Sequence, residues 1–178
     1  MYWKKPGMAN TAATVELALA KAAAAGIDDI VVASNSGATA GLLAGKLPNV
    51  VCVTHAQGYA KPGENEMPAE ARAELTARGV KVLTTTHVLS GAERGLSGKF
   101  GGTYPVEIMA HTLRMFGQGV KVCVEVAVMA LDAGLIPHGR EVIAVAGTGR
   151  GADTAVVIRP AHAASIFDTY IVEIICKP

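Results

Sequence analysis

A chain of 178 residues with 51% hydrophobic but only 4% aromatic content, and with 20 glycines, is sized for one domain, residues 1–178, whose core is built of Ala, Val, Ile and Leu between tight turns. The balance of 16 Lys and Arg against 15 Asp and Glu, net +1, with no basic cluster, argues against nucleic acid as a partner. Apolar stretches are broken by Lys21, Lys121, Glu125 and Asp132 before they could span a bilayer, so no membrane partner is expected.

The first residues, Tyr2 to Gly7, read as an irregular lead-in. Asn10 or Thr11 is a candidate cap for an Ala- and Leu-rich helix that ends near Gly26, where glycine suits the left-handed C′ position. The β-branched run Ile30-Val31-Val32 then stops at Ser34-Asn35-Ser36-Gly37 and gives way to small, helix-compatible residues up to about Gly45. That pattern predicts a buried strand, a tight turn and a helix start. Amides of a first helical turn have no intrahelical partner and carry the positive end of the dipole, and the hydroxyls of Ser34, Ser36 and Thr39 add donors, so the turn suits a phosphate. The competing reading is that Ser34 or Asn35 simply caps the helix.

Val50 to Thr54 is a second continuous apolar run, and continuous rather than alternating runs imply strands covered on both faces, as in a parallel sheet. A polar, turn-rich stretch follows from His55 to Met67, then a helix from Pro68 to the Arg78-Gly79 stop, then a strand at Val80 to Leu83 that ends in Thr84-Thr85-Thr86-His87. His55 and His87 thus fall just past strand ends, where open α/β sheets bind ligands. Leu89 to Thr103, with five glycines, reads as the longest irregular stretch: a lid or binding loop, or a surface excursion.

Pro105 opens a helix through Met115, and a second helix from Val120 to Ala133 is apolar almost all round, which predicts burial or a subunit contact and leaves a homo-oligomer open. On it Lys121 and Glu125 have ion-pair spacing, with an acid directed into a site as the other reading. Val142 to Ala146 is a fourth strand, Thr154 to Ile158 a fifth, and Tyr170 to Cys176 a candidate edge strand.

Gly147, Gly149 and Ala152 match G-x-G-x-x-A as a string, but a β-branched run follows where the dinucleotide fingerprint needs a helix. A nicotinamide site is therefore not expected; the segment is either a tight hairpin or a Gly-rich anion cradle helped by Arg150. Ser36 lacks the preceding glycine of a nucleophile elbow, and the five histidines lack metal-ligand spacing. Cys52, Cys123 and Cys176 lie in apolar runs without C-x-x-C spacing, which suits buried thiols in a cytoplasmic, reducing setting; no secretory leader is expected.

The turn Ser34 to Ala40 resembles the phosphate-binding turn of the pyruvate kinase C-terminal domain, and nearly the whole chain resembles the stand-alone archaeal and bacterial proteins related to that domain. The stretches that carry this are Gly63-Glu64-Asn65-Glu66-Met67, Leu89-Ser90-Gly91-Ala92-Glu93-Arg94-Gly95 and Gly147-Thr148-Gly149-Arg150-Gly151-Ala152-Asp153. The resemblance implies a three-layer α/β/α fold with a mixed five-stranded sheet in the order 3-2-1-4-5, strand 5 antiparallel, and a site able to hold FMN. That order sets the turn and the Gly-rich loop side by side at the topological switch point. Ser34, Asn35, Ser36, Gly37 and Thr39 would take the phosphate, with His55, Gly147, Thr148, Gly149, Ala152 and Asp153 completing the site under the 55–67 and 89–103 loops. No counterpart of the catalytic barrel is recognisable, so kinase activity is not implied. Two functions follow: a flavin-dependent oxidoreductase for which no catalytic residue is named, or a non-catalytic regulatory module that binds a phosphorylated metabolite.

Overall fold

Short β-branched runs and helices alternate as far as the third strand, three helices and then three strands follow, and the computed structural model describes all of residues 1–178. In chain order the elements are α1 (Thr11–Ala25), β1 (Asp29–Ala33), α2 (Ala38–Leu43), β2 (Asn49–Val53), α3 (Ala69–Ala77) and β3 (Lys81–Leu83). There follow α4 (Gly91–Phe100), α5 (Pro105–Arg114), α6 (Gln118–Asp132), β4 (Val142–Ala146), β5 (Thr154–Arg159) and β6 (Tyr170–Cys176). Gly26 ends α1 in the left-handed conformation, as its position suggested.

The strands form one mixed sheet in the order β3-β2-β1-β4-β5-β6. β1 to β4 run parallel, β5 is antiparallel to β4, and β6 is antiparallel to β5. The order and the reversed fifth strand agree with expectation, but a sheet of five strands is one too few. Tyr170–Cys176 extends it, pairing Ile174 with Val156 and Ile171 with Ile158 across two register shifts. It shelters the ladder groups of β5 that a five-stranded sheet would leave as a bare edge.

Alternate residues of each central strand enter different cores. Ile30, Val32, Cys52, Ile143 and Val145 pack with α1, α2 and α3 on one face. Val31, Val51, Val142, Ala144 and Val156 pack against α6 on the other. Each fully buried Val, Ile or Leu contributes roughly 1.5–3 kcal/mol, which is why continuous apolar runs rather than alternating ones build this sheet. The three cysteines are buried within these cores, and burial pushes the Cys52 thiol up to about 12. No helix is long and apolar enough to cross a membrane.

Two expectations concern the second face. The apolar helix is buried, and Lys121 and Glu125 do form an ion pair on it, each only 5% exposed. The irregular stretch expected at Leu89 to Thr103 is instead largely helical: α4 occupies Gly91–Phe100. Gly95 and Gly98 weaken a helix by about 1 kcal/mol each relative to Ala without forbidding it, and the helix ends only where Gly101 and Gly102 turn to positive φ. α4 buries none of its residues and lies against α5, whose first turn is fixed by Pro105 and by the Tyr104 N–H donating to Glu107.

Candidate functional site

Because β1 to β4 are parallel, their carboxyl ends share one rim of the sheet. It carries the Ser34–Gly37 turn after β1, Thr54 and His55 after β2, Thr84 to His87 after β3, and the Gly147–Asp153 hairpin after β4. β1 and β4 are directly paired, Val32 opposite Val145, so the turn and the hairpin are neighbours.

Gly37 forms the cap of α2 with φ +85°, and a Cβ there would stand 2.9 Å from Leu75 Cδ1, so both conformation and packing favour glycine. Neither Ser34 nor Asn35 is the cap. Ser34 is buried with its Oγ 3.5 Å from the Ala40 amide, and Ser36 Oγ is equally far from the Ala38 amide, long for hydrogen bonds. Thr39 is buried on α2. The amides of Asn35, Ser36 and Gly37 meet no protein acceptor.

Asn35 ties this turn to the end of β2. Its Oδ1 accepts the His55 backbone N–H at 2.9 Å. Asn35 Nδ2 lies 2.8 Å from His55 Nδ1 and 3.0 Å from Nε2; Glu66 Oε2, 2.5 Å from Nδ1, accepts the Nδ1–H, which leaves Nε2 as the acceptor for Asn35. Both ring nitrogens of His55 are therefore engaged. The ring lies against Tyr59 and His87, with centroids 3.9 and 5.4 Å away.

The glycine-rich segment is a hairpin between β4 and β5, and part of it faces inward. Asp153 is wholly buried; its carboxylate accepts the Gly7 amide at 2.8 Å, the Thr148 amide at 3.1 Å and the Thr154 hydroxyl at 2.8 Å. Ala152 is buried as well, its amide donating to Thr11 Oγ1. Asp153 itself thus occupies the anion position that the Thr148 amide offers, and the lead-in packs over the loop through the Trp3 indole, which donates to the Asp153 carbonyl. Gly147 is required by close packing, since a Cβ would fall 2.7 Å from the Gly151 carbonyl oxygen. Of the hairpin residues expected at a site, Gly147, Thr148 and Gly149 stay accessible at the rim, while Ala152 and Asp153 do not.

Tyr59, Ser90 and Arg94, which the sequence placed only within the loops expected to cover the site, line with His87 a cleft at the β2–β3 side of the rim. His87 Nε2 accepts the Ala56 amide at 3.2 Å, which requires an unprotonated Nε2. Its pKa is lowered, chiefly by burial and further by His55, Lys121 and Arg94, against the opposing pull of Glu125. His87 was marked by its place past a strand end, whereas Arg94 was hidden in a stretch read as loop.

Residues 12–158 match the family model described as "Pyruvate kinase, alpha/beta domain". The chain belongs to this family. Among solved structures, a pyruvate kinase from Cryptosporidium parvum is 20% identical, with a TM-score of 0.43 over 87% of this chain and 23% of that one. The C. parvum enzyme in complex with ADP is 19% identical, with a TM-score of 0.42 over 96% of this chain and 24% of that one. The chain thus spans about a quarter of the length of these kinases, and likeness at this level carries no functional meaning. What this pyruvate kinase α/β domain does has to be argued from its rim.

Proposed function

We propose that the carboxyl rim of this α/β domain binds a phosphorylated small molecule, with FMN the first ligand to test. The observation that carries the reading is the run of three successive amides, Asn35, Ser36 and Gly37, without protein acceptors, beside the Ser36 hydroxyl, whose one contact is the long one from the Ala38 amide. Such successive N–H groups are what a phosphate's oxygens satisfy. The neighbouring Thr148 and Gly149, accessible on the adjoining hairpin, and His55 would border the rest of the ligand. Asp153 and Ala152 would support the hairpin from within. When bound, FMN would supply electron transfer, and the chain would supply position and electrostatics.

A non-catalytic effector module is the second reading, and one observation favours it. His55, the titratable group next to the turn, has both ring nitrogens committed to Asn35 and Glu66, so no free acid or base stands beside the bound phosphate.

Thermal unfolding in the presence of FMN, riboflavin or inorganic phosphate tests the binding. A ligand at about 100 times its Kd stabilises the native state by roughly 2.7 kcal/mol, a readable shift in Tm. FMN is expected to raise Tm and riboflavin to leave it unchanged; equal shifts, or none, would contradict a phosphate-directed site. Bleaching of bound flavin by NADH or NADPH would then favour the oxidoreductase over the module.

A further inference from the structure

On the far side of His55 from the β1 turn, the ends of β2 and β3 carry a separate cleft of about 370 Å³, between the 56–59 segment and the start of α4. Thr86, His87, Ser90, Gly91 and Arg94 form most of its wall, and only Ala56 and Tyr59 are apolar. No carboxylate lines it.

Arg94 stands one turn into α4 and its guanidinium has no hydrogen-bond or ion-pair partner in the protein. Glu93, its neighbour in sequence, accepts the Glu107 amide, and Glu107, whose carboxylate feels the Arg94 charge, is hydrogen-bonded to the Ser97 hydroxyl and the Tyr104 amide instead. Arg94 is exposed, and a cation so near a helix N-terminus is mildly disfavoured by the helix dipole, so it adds little to the stability of the fold. His87, whose Nε2 is filled by the Ala56 amide, keeps Nδ1–H as its one remaining donor, and that donor has no protein acceptor. Ser90 makes no side-chain capping bond, and the amides of Gly91, Ala92 and Glu93 behind it have no acceptor.

The turn that presents these groups is held from below. Buried Glu125 accepts the Leu89 amide at 3.1 Å through Oε1 while its Oε2 pairs with Lys121. A buried ion pair is a poor source of stability, but here it fixes the segment between His87 and Ser90 from within the core.

We propose that this cleft is an oxyanion site, distinct from the β1 turn, that takes the carboxylate or phosphate of a small polar molecule through Arg94, Ser90 and His87. The scarcity of apolar wall points to a small ligand, with the Tyr59 ring as the one flat surface against which its body can lie. The site does not depend on FMN binding at the turn.

Calorimetric titration with malonate and, separately, inorganic phosphate tests it on the wild-type chain, on Arg94→Gln, on Arg94→Lys and on Ser36→Asp, which places a repelling carboxylate at the turn. At least one probe is expected to bind the wild type; malonate alone identifies a carboxylate site and phosphate alone a phosphate site. Arg94→Gln should weaken that binding at least about tenfold, the loss of a charge-assisted hydrogen bond, and Arg94→Lys less. Malonate binding should survive Ser36→Asp. Because Arg94 is exposed, the unliganded variants are expected to melt with the wild type, which separates lost binding from lost folding. Failure of both probes to bind, or binding indifferent to Arg94→Gln, would overturn the proposal. Malonate binding abolished by Ser36→Asp alone would also overturn it while leaving the turn as a site; a missing FMN shift with intact malonate binding would do the reverse.

Discussion

Glu125 and Lys121 carry a large desolvation penalty, compensated only by each other and by the Leu89 amide. Their spacing made the pair legible and the apolar helix around it predicted burial; the i,i+4 spacing alone does not say on which face the charges lie, and both are on the dry one. Glu125→Gln leaves the Lys121 ammonium buried without a countercharge, and equilibrium denaturation should show a loss of roughly 3–5 kcal/mol. A loss below about 1 kcal/mol would mean the pair behaves as a surface one. His87 supplies a pH dependence of definite sign. Its folded pKa lies below the ordinary value of 6.5, mainly through burial, so the unfolded chain binds its proton more readily. The resulting stability is complete above that value and is lost as pH falls through it toward the folded pKa. Between about pH 7.5 and about pH 5 the wild type should therefore lose more stability than His87→Gln, by melting curves at each pH. Equal slopes would show that His87 is not kept neutral.

Among the elements, the sequence marked strands better than helices without a buried face. Val142–Ala146 and Tyr170–Cys176 were read at their observed bounds because β-branched runs between turn residues leave few alternatives. α4 was missed because a helix that buries nothing has no apolar periodicity to display, and its glycines read locally as loop. The Gly147–Asp153 hairpin was ambiguous for a different reason: a phosphate cradle and a tight turn use the same residues, and only the direction of Asp153, inward onto Gly7 and Thr148, tells them apart. A close helix–sheet approach was also invisible in the string. Gly119 on α6 lies so near β5 that a Cβ would fall 2.0 Å from Thr154 Oγ1 and 3.1 Å from Asp153 Oδ1. Gly119→Ala should destabilise by roughly 1–3 kcal/mol through overpacking, measured by urea denaturation, although alanine is the better helix former. A neutral or stabilising result would mean that α6 can move off the sheet without cost.

For the whole molecule, continuous apolar runs implied a sheet covered on both faces, and the two cores on either side of β1 and β4 have that arrangement. Strand order is another matter, since periodicity says which segments are strands and nothing about which are neighbours; the order came from the family resemblance, and the sixth strand lay outside it. The order β2-β1-β4 is what sets the turn after β1 between His55 and the glycine hairpin, and so creates a rim on which three unpaired amides stand together. Titration of ¹⁵N-labelled protein with FMN, followed by amide NMR, reads those three groups individually. The largest shifts are expected at Asn35, Ser36 and Gly37, extending to His55 and Thr148, with riboflavin leaving the three amides unmoved. Shifts confined to other surfaces, or the same shifts with riboflavin, would contradict a phosphate site at the turn.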